Sequence, residues 1–142
     1  MIDGAAAADG PALAALWEAC GLTRPWNDPI ADIERALRGP SSTILVAREA
    51  GAVIGSVMVG WDGHRGWMYY LAVAPAHRGQ GLGRALVHAA EEWLRAHYDI
   101  PKVQLIVRAE NPNLETYYQA LGYVRADVLL MMRRMNEEED TK

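Results

Sequence analysis

The apolar positions of the chain repeat with helical and strand periods, and these periods predict its secondary structure. Spacings of three and four residues predict a first helix that begins at Asp9 and ends before Gly21. A second helix is capped by Asp28 and closed by Gly39-Pro40. A short fourth helix ends at Gly122. The clearest helical stripe, that of the third helix, consists of Leu82, Ala85, Leu86, Ala89, Ala90, Trp93 and Leu94.

Runs of β-branched and aliphatic residues between turn signals predict the strands. Three consecutive runs predict an antiparallel meander at Ser42–Glu49, Val53–Asp62 and Trp67–Val73. A strand at Lys102–Ala109 follows a helix, and a right-handed crossover would set it parallel to the third strand. A final strand is predicted within Val124–Arg134. This order predicts a mixed α/β sheet, mostly antiparallel with one parallel pair, with helices layered on it.

Length and composition exclude several classes of protein. The 142 residues fit one domain, 1–142, that ends in an acidic tail at 136–142. The net charge of −4 argues against nucleic acid as the main partner. No apolar run approaches the roughly 20 residues of a membrane helix, and the N-terminus lacks the basic start of a signal peptide, so a cytoplasmic location is expected. Cys20 is the only cysteine, so no disulfide and no metal site are expected.

The stretch "HRGQGLGRA" at 77–85 lies between the third strand and the third helix. Glycines let several backbone amides turn toward one point, and a helix N-terminus attracts anions. A Walker A loop needs a lysine and a hydroxyl after its last glycine, and a dinucleotide fingerprint needs G-x-G-x-x-G; neither spacing occurs. The remaining pattern of Arg78, Gly81 and Gly83 predicts a pyrophosphate site. Because no loop residue suits phosphoryl transfer, the phosphates would serve as a handle for chemistry elsewhere on the ligand.

Two stretches of the chain carry a family resemblance. "YYLAVAPAHRGQGLGRALV" resembles the acetyl-CoA motif of the GNAT family of N-acetyltransferases, and "ENPNLETYYQALGY" resembles the second motif of that family. More narrowly, "LTRPWNDP", "DIERAL", "GWDGHRG" and "YYLAV" resemble the bacterial YpeA-type acetyltransferases. The resemblance runs from Thr43 to the end of the chain. It implies the GNAT fold with a splayed parallel strand pair.

The resemblance also implies an activity and its partners. Acetyl-CoA would be the cosubstrate, and its acetyl group would pass to a primary amine by direct attack in a ternary complex. The acceptor would be a small molecule or the amine of a peptide or protein, and a homodimer through the final strands is plausible by analogy. The alternative function is a catalytically weak CoA-binding or interaction module with the same fold.

Site residues follow from the same resemblance. The pantetheine arm would pair with the backbone of Leu71, Ala72 and Val73 and lie beside Asn111. Tyr118 falls at the general-acid position, where a phenol can protonate the leaving thiolate; a core aromatic is the alternative role. The loop residues that would hold the pyrophosphate are Arg78, Gly79, Gln80, Gly81, Leu82, Gly83 and Arg84.

The general base and the acceptor pocket are less defined by the sequence. Neither Trp67–Tyr70 nor Val103–Val107 contains a carboxylate, although many family members carry a glutamate on one of these strands. The stretch "RPWNDP" would form one wall of the acceptor pocket, or its tryptophan would plug the core. The possible bases are Asp62, His64 and Glu110, with water as a further route. The residues of the pocket wall are Arg24, Trp26 and Asn27.

Overall fold

A computed structural model describes residues 1–135 of the chain, and the predicted acidic tail at 136–142 lies outside them. Residues 1–135 form a sheet of five strands, and the strands lie side by side in the same order as along the chain. The first four pair antiparallel, and the last two pair parallel, as predicted. The strands are β1 (Ile2–Gly4), β2 (Ser42–Glu49), β3 (Ala52–Trp61), β4 (Gly66–Val73) and β5 (Val103–Gln104).

Residues 1–135 contain four α-helices. As predicted, Asp28 caps the second of them, because its carboxylate accepts the amide of Ala31 at 3.2 Å. No helix within residues 1–135 is long and apolar enough to cross a bilayer. The helices are α1 (Gly10–Ala19), α2 (Pro29–Arg38), α3 (Leu82–His97) and α4 (Pro112–Ala120), and single 3-10 turns occur at Ala7–Asp9 and Pro75–His77.

Helices cover both faces of the sheet, as the sequence predicts. Neighbouring residues of a strand point to opposite faces, and β3 shows this at Gly55 and Ser56. The Ser56 hydroxyl meets Trp17 of α1, whereas a Cβ on Gly55 would meet Leu86 of α3. The α1–α2 face holds a buried cluster. Its members are Leu13, Leu16, Trp17, Ile33, Ala36, Ile44, Val46 and Ala72.

Two compact units make up the chain, one covering Met1–Ile106 and the other starting at Val107. The described part of the second unit contains α4 and no strand, so the strand predicted within Val124–Arg134 is wrong for these residues. The apolar run from Val128 to Met132 does not alternate, and its side chains are exposed. A strand without a partner pairs none of its backbone groups and buries no face, so it is not stable alone.

Two further strands differ from the prediction. The sequence pattern extends the parallel strand over Lys102–Ala109, but β5 contains only Val103 and Gln104. β1 was not predicted, since its three residues, Ile-Asp-Gly, carry no periodic signal. It pairs with β2 at the free edge of the meander.

Candidate functional site

The edge of β4 that faces β5 is open over most of its length. The two strands pair at only two positions, Gly66 with Val103 and Trp67 with Gln104, whereas β4 continues to Val73. Because backbone N–H and C=O groups require partners, this open stretch offers a ligand a row of main-chain hydrogen-bonding groups. Residues 71–73, the stretch predicted to pair with the pantetheine arm, lie beyond the last strand pair between β4 and β5.

The loop after β4 places several amides at one point. Gly79 and Gly81 both adopt a left-handed φ of 82°, which residues with a Cβ rarely adopt. Gly81 directly precedes α3, and no side chain caps this helix. The first amides of α3 therefore lack intrahelical partners and carry the partial positive charge of the helix end. This is an arrangement that binds phosphate groups.

Side chains at the start of the loop tie it to the sheet. His77 Nε2 lies 2.7 Å from Glu49 Oε1 at the end of β2. Arg78 Nε donates to the Val73 carbonyl over 2.9 Å. No local pattern predicts this contact, because 28 positions separate Glu49 from His77. The two contacts hold the glycine loop at the end of β4.

A bulge interrupts β4 in the middle of its open edge. Met58 pairs with Tyr69 and Ser56 pairs with Ala72, so β4 has one more residue than β3 between these pairs. Tyr70 lies in this bulge with a φ of 53°, a left-handed value that is rare for an aromatic residue. Bulges re-aim the strand and leave backbone groups outside the ladder.

The predicted acceptor wall forms a turn between α1 and α2. Arg24 Nη1 donates to two carbonyls of its own loop at 2.9 and 3.0 Å, and the Asn27 amide donates to the Arg24 carbonyl at 3.0 Å. Trp26 is 53% exposed, so it does not plug the core. The charge of Arg24 acts on the Tyr70 hydroxyl and lowers its pKa, although burial and a hydrogen bond to Asp32 raise that pKa more. The wall therefore lies near the bulge of β4.

Two of the three predicted bases lie in the hairpin between β3 and β4. The Asp62 carboxylate accepts the amides of Arg65 and His64 at 2.7 and 2.8 Å and the Trp67 indole at 3.1 Å. The backbone hydrogen bonds from Arg65 and then His64 lower the pKa of Asp62 and make it a weaker base. The hairpin and the glycine loop lie at opposite ends of β4, about 23 Å apart at a strand rise of about 3.3 Å per residue.

The second unit holds the other predicted site residues. Glu110 is exposed in the turn before α4. Asn111 occupies the N-cap position of α4, but its side chain makes no capping hydrogen bond. Tyr118 is half-buried and packs edge-on against Tyr117 and Tyr123, with ring centroids 5.3 and 6.0 Å away. Asn111 and Tyr118 stand seven residues apart at the two ends of the helix, as the motif requires.

Burial, and next the neighbouring Tyr117, raise the pKa of Tyr118 to about 12. The hydroxyl therefore keeps its proton throughout the physiological range and can donate it. Within residues 1–135, no three His, Cys, Asp or Glu side chains lie close enough together to hold a metal ion.

Comparison with known proteins identifies sequence relatives. The family model described as "Acetyltransferase (GNAT) family" matches residues 11–123. Acetyltransferase SG1711 of Sodalis glossinidius (strain morsitans) is 47% identical over 126 residues, which make up 88% of each chain.

Solved structures share the fold at lower identity. Aminoglycoside N-acetyltransferase AAC(6')-Iy in complex with CoA superposes with a TM-score of 0.80 at 18% identity, over 96% of this chain and 95% of that one. A ribosomal-protein-alanine N-acetyltransferase of Brucella melitensis biovar Abortus 2308 superposes with a TM-score of 0.73 at 22% identity, over 95% and 99% of the two chains.

Proposed function

Because the chain belongs to the acetyltransferase (GNAT) family, we propose that the open edge of β4 and the glycine loop bind acetyl-CoA for direct attack by an amine in a ternary complex. Family membership confirms the predicted class of enzyme, an N-acetyltransferase, and its cosubstrate, acetyl-CoA. Two neighbouring features carry the proposed site. The β4–β5 pairing ends early, at Trp67, and the glycine turn that follows β4 leads into a helix with no side-chain cap.

The donor would be held mainly by main-chain groups. Amides of the loop and of the first turn of α3 would bind the pyrophosphate, with Arg84 adding charge. The backbone of residues 71–73 would pair with the pantetheine arm, as an added strand pairs with a sheet edge. The uncapped side chain of Asn111 is suited to contact the same arm. An amide in the bulge would donate to the thioester carbonyl, where negative charge develops during attack.

Tyr118 would act as the general acid. The amine nitrogen attacks the carbonyl carbon, a C–N bond forms and the C–S bond breaks. The leaving sulfur takes the phenolic proton, and the surplus proton of the attacking amine passes through water and restores the phenol. A pKa of about 12 keeps the phenol protonated before attack, and the developing thiolate, whose thiol titrates near 8.5, creates the demand for that proton.

Deprotonation of the acceptor needs no dedicated base if the amine reaches the site in its neutral form. The low basicity of Asp62 favours this route over Asp62 as the base. The profile of kcat/KM against pH then rises with the pKa of the acceptor amine. Two acceptors whose pKa values differ would shift the profile by the same difference, whereas an enzyme base would give one common profile.

The acceptor itself is an amine whose class a screen must define. Arg24, Trp26 and Asn27 would form one wall of its pocket, because the charge of Arg24 reaches Tyr70 at the bulge. The two structural neighbours are named for an aminoglycoside and for a ribosomal-protein alanine, and at 18% and 22% identity they share only the fold with this chain. Small amines, aminoglycosides and peptides therefore all enter the screen.

The test is the release of CoA thiol from acetyl-CoA across this screen. The expected result is turnover with at least one amine, abolished when the amine is replaced by the matching alcohol. Acetyl-CoA should also raise the Tm, since a ligand that binds only the folded state stabilises it. Binding of acetyl-CoA without thiol release from any acceptor would instead support the CoA-binding module. Stabilisation by ATP and magnesium but not by acetyl-CoA would refute the proposed donor site.

A further inference from the structure

Tyr70 combines an unfavourable backbone conformation with an unusually complete set of contacts. Its φ of 53° lies in the left-handed region, where the Cβ of a bulky residue is strained. Strain of this kind persists only where the surrounding structure holds it, and it concentrates at functional sites. The surroundings of Tyr70 are therefore the place to look for its purpose.

Three side chains from three different elements hold Tyr70. The Trp17 ring of α1 stacks on the Tyr70 ring with centroids 3.7 Å apart and planes 6° apart. The Ser56 hydroxyl of β3 donates to the Tyr70 carbonyl at 2.9 Å and accepts the Trp17 indole N–H at 2.9 Å. The Tyr70 hydroxyl donates to Asp32 Oδ2 of α2 at 2.8 Å. Ring, carbonyl and hydroxyl of one residue are thus all fixed.

Ser56 is a polar side chain in an otherwise apolar core. Among the described residues it is the buried polar side chain, with 0% exposure. A buried hydroxyl must be hydrogen-bonded to be tolerated, and both of its bonds serve the bulge. An alanine or valine would fill the same position in an ordinary strand core without this requirement.

The bulge lies where the proposed donor site needs a defined amide direction. Tyr70 and Leu71 have no register partner on β3, and they follow the last β4 residue that pairs with β5. The Tyr70 carbonyl is held by Ser56 of β3, and in a planar trans peptide the N–H of Leu71 points the opposite way, away from Ser56. The direction of these groups depends on the backbone angles of Tyr70.

We propose that Trp17, Ser56 and Asp32 are positioning residues for the acetyl group, acting through Tyr70. This inference rests on the proposed function. By holding Tyr70 in its left-handed conformation, the three side chains aim the bulge amide at the thioester carbonyl. A hydrogen bond that polarises a carbonyl loses effect steeply with misalignment. Asp32 also connects this amide to α2, the helix that follows the proposed acceptor wall.

Three variants disturb the contacts of Tyr70. Tyr70→Phe keeps the stacked ring and removes the bond to Asp32. Asp32→Asn weakens the same bond from the other side. Ser56→Ala removes both the bond to the Tyr70 carbonyl and the acceptor of the Trp17 indole. The matched controls are Tyr69→Phe, the same change one residue earlier in a 44% exposed side chain, and Glu34→Gln, the same loss of charge from an exposed position of α2.

The direct readout is acetyl-CoA labelled with 13C at the thioester carbonyl. A hydrogen bond to this oxygen moves the carbonyl resonance downfield on binding, and no acceptor is needed to observe it. We expect the downfield shift in wild type and both controls, and a clearly smaller shift in the three variants. The Kd for acetyl-CoA should change by less than about threefold, because the pyrophosphate contacts remain. With an acceptor from the screen, kcat should fall about 10- to 100-fold.

Each outcome decides the inference. A full downfield shift and full kcat in folded Tyr70→Phe and Asp32→Asn would overturn it, even if Tm fell, since the contacts would then serve stability alone. If Ser56→Ala does not fold, the other two variants still decide. A wild-type protein that binds acetyl-CoA and releases thiol, but whose carbonyl resonance does not move, would overturn this inference and leave the proposed function intact. Failure of the wild type to bind acetyl-CoA would refute both.

Discussion

At Gly55, β3 and α3 pack so closely that one added methyl group does not fit between them. The donor loop leads directly into α3. A Cβ built there would lie 2.9 Å from Leu86 Cδ1, 3.2 Å from the Ala72 carbonyl oxygen and 3.4 Å from Leu82 Cδ2. The first two distances are below ordinary van der Waals contact. Leu86 is a movable side chain, whereas the Ala72 carbonyl belongs to β4 and cannot easily shift. Gly55→Ala should therefore push α3 away from the sheet.

The size of this effect follows from two opposing contributions. Overpacking of a core by one methyl group costs about 1–3 kcal/mol. Replacing glycine also restricts the unfolded chain, which restores about 0.4–1 kcal/mol. The expected net loss of stability is about 1–2 kcal/mol. For a chain of this length, such a loss lowers Tm by about 2–8 °C.

The displacement should also reach the donor site, because Leu82 is the first residue of α3 and its neighbours supply the uncapped amides. We expect the Kd for acetyl-CoA to rise about fivefold, equivalent to about 1 kcal/mol. Thermal melts and calorimetric titration measure the two effects. Gly4→Ala is the control, because nothing lies within 4 Å of a Cβ at that position and its φ is not left-handed. If Gly55→Ala matches Gly4→Ala in both measurements, α3 is not seated as described.

Three further variants test the remaining parts of the structure. Tyr118→Phe should lower kcat about 100-fold without changing the Kd for acetyl-CoA. Wild-type kcat should show no alkaline decline below pH 10, because burial raises the pKa of Tyr118 to about 12. A decline near pH 8 would argue against Tyr118 as the acid. Hydrogen bonds from Arg48 hold the pKa of Asp9 at about 2, so Asp9 stabilises the fold above its unfolded pKa near 4 and loses this effect as the pH falls toward 2. In urea unfolding, Asp9→Asn should be about 1 kcal/mol less stable than wild type at pH 6, after allowance for solvent screening, and equal to it at pH 2. Gly81→Ala places a Cβ at a φ of 82°, which costs about 1–2 kcal/mol, and should weaken acetyl-CoA binding; unchanged binding would exclude a role for this turn.

Local patterns in the sequence predicted the elements whose signals are local. β2 was predicted at its observed bounds because Ser42–Glu49 is rich in β-branched and aliphatic residues and lies between turn residues. The start of α2 was predicted because Asp28-Pro29 is a cap followed by a proline at the first helical position. The glycine loop was recognised from its spacing, since phosphate sites differ in where their glycines and lysines stand.

Long-range pairing determined what the sequence could not show. The length of β5 depends on where the chain leaves β4, and the apolar residues Leu105, Ile106 and Val107 continue past that point. The network around Tyr70 joins residues far apart in the chain: 39 positions separate Trp17 from Ser56, and Tyr70 lies further along still. Its one available signal was Ser56, a hydroxyl within the apolar stretch "VIGSVMVG", which can be distinguished from an ordinary strand residue only once Trp17 and Tyr70 are seen beside it.

The open edge of β4 has a consequence for how such an enzyme can diversify. In the proposed complex the donor is recognised by peptide groups, which are the same in every residue except proline. Side chains along the strand can then be exchanged through evolution without loss of the cosubstrate, provided that the few glycines and the bulge are kept. Selection for a new acceptor can thus act on the two faces of β4 while its edge remains committed to one donor.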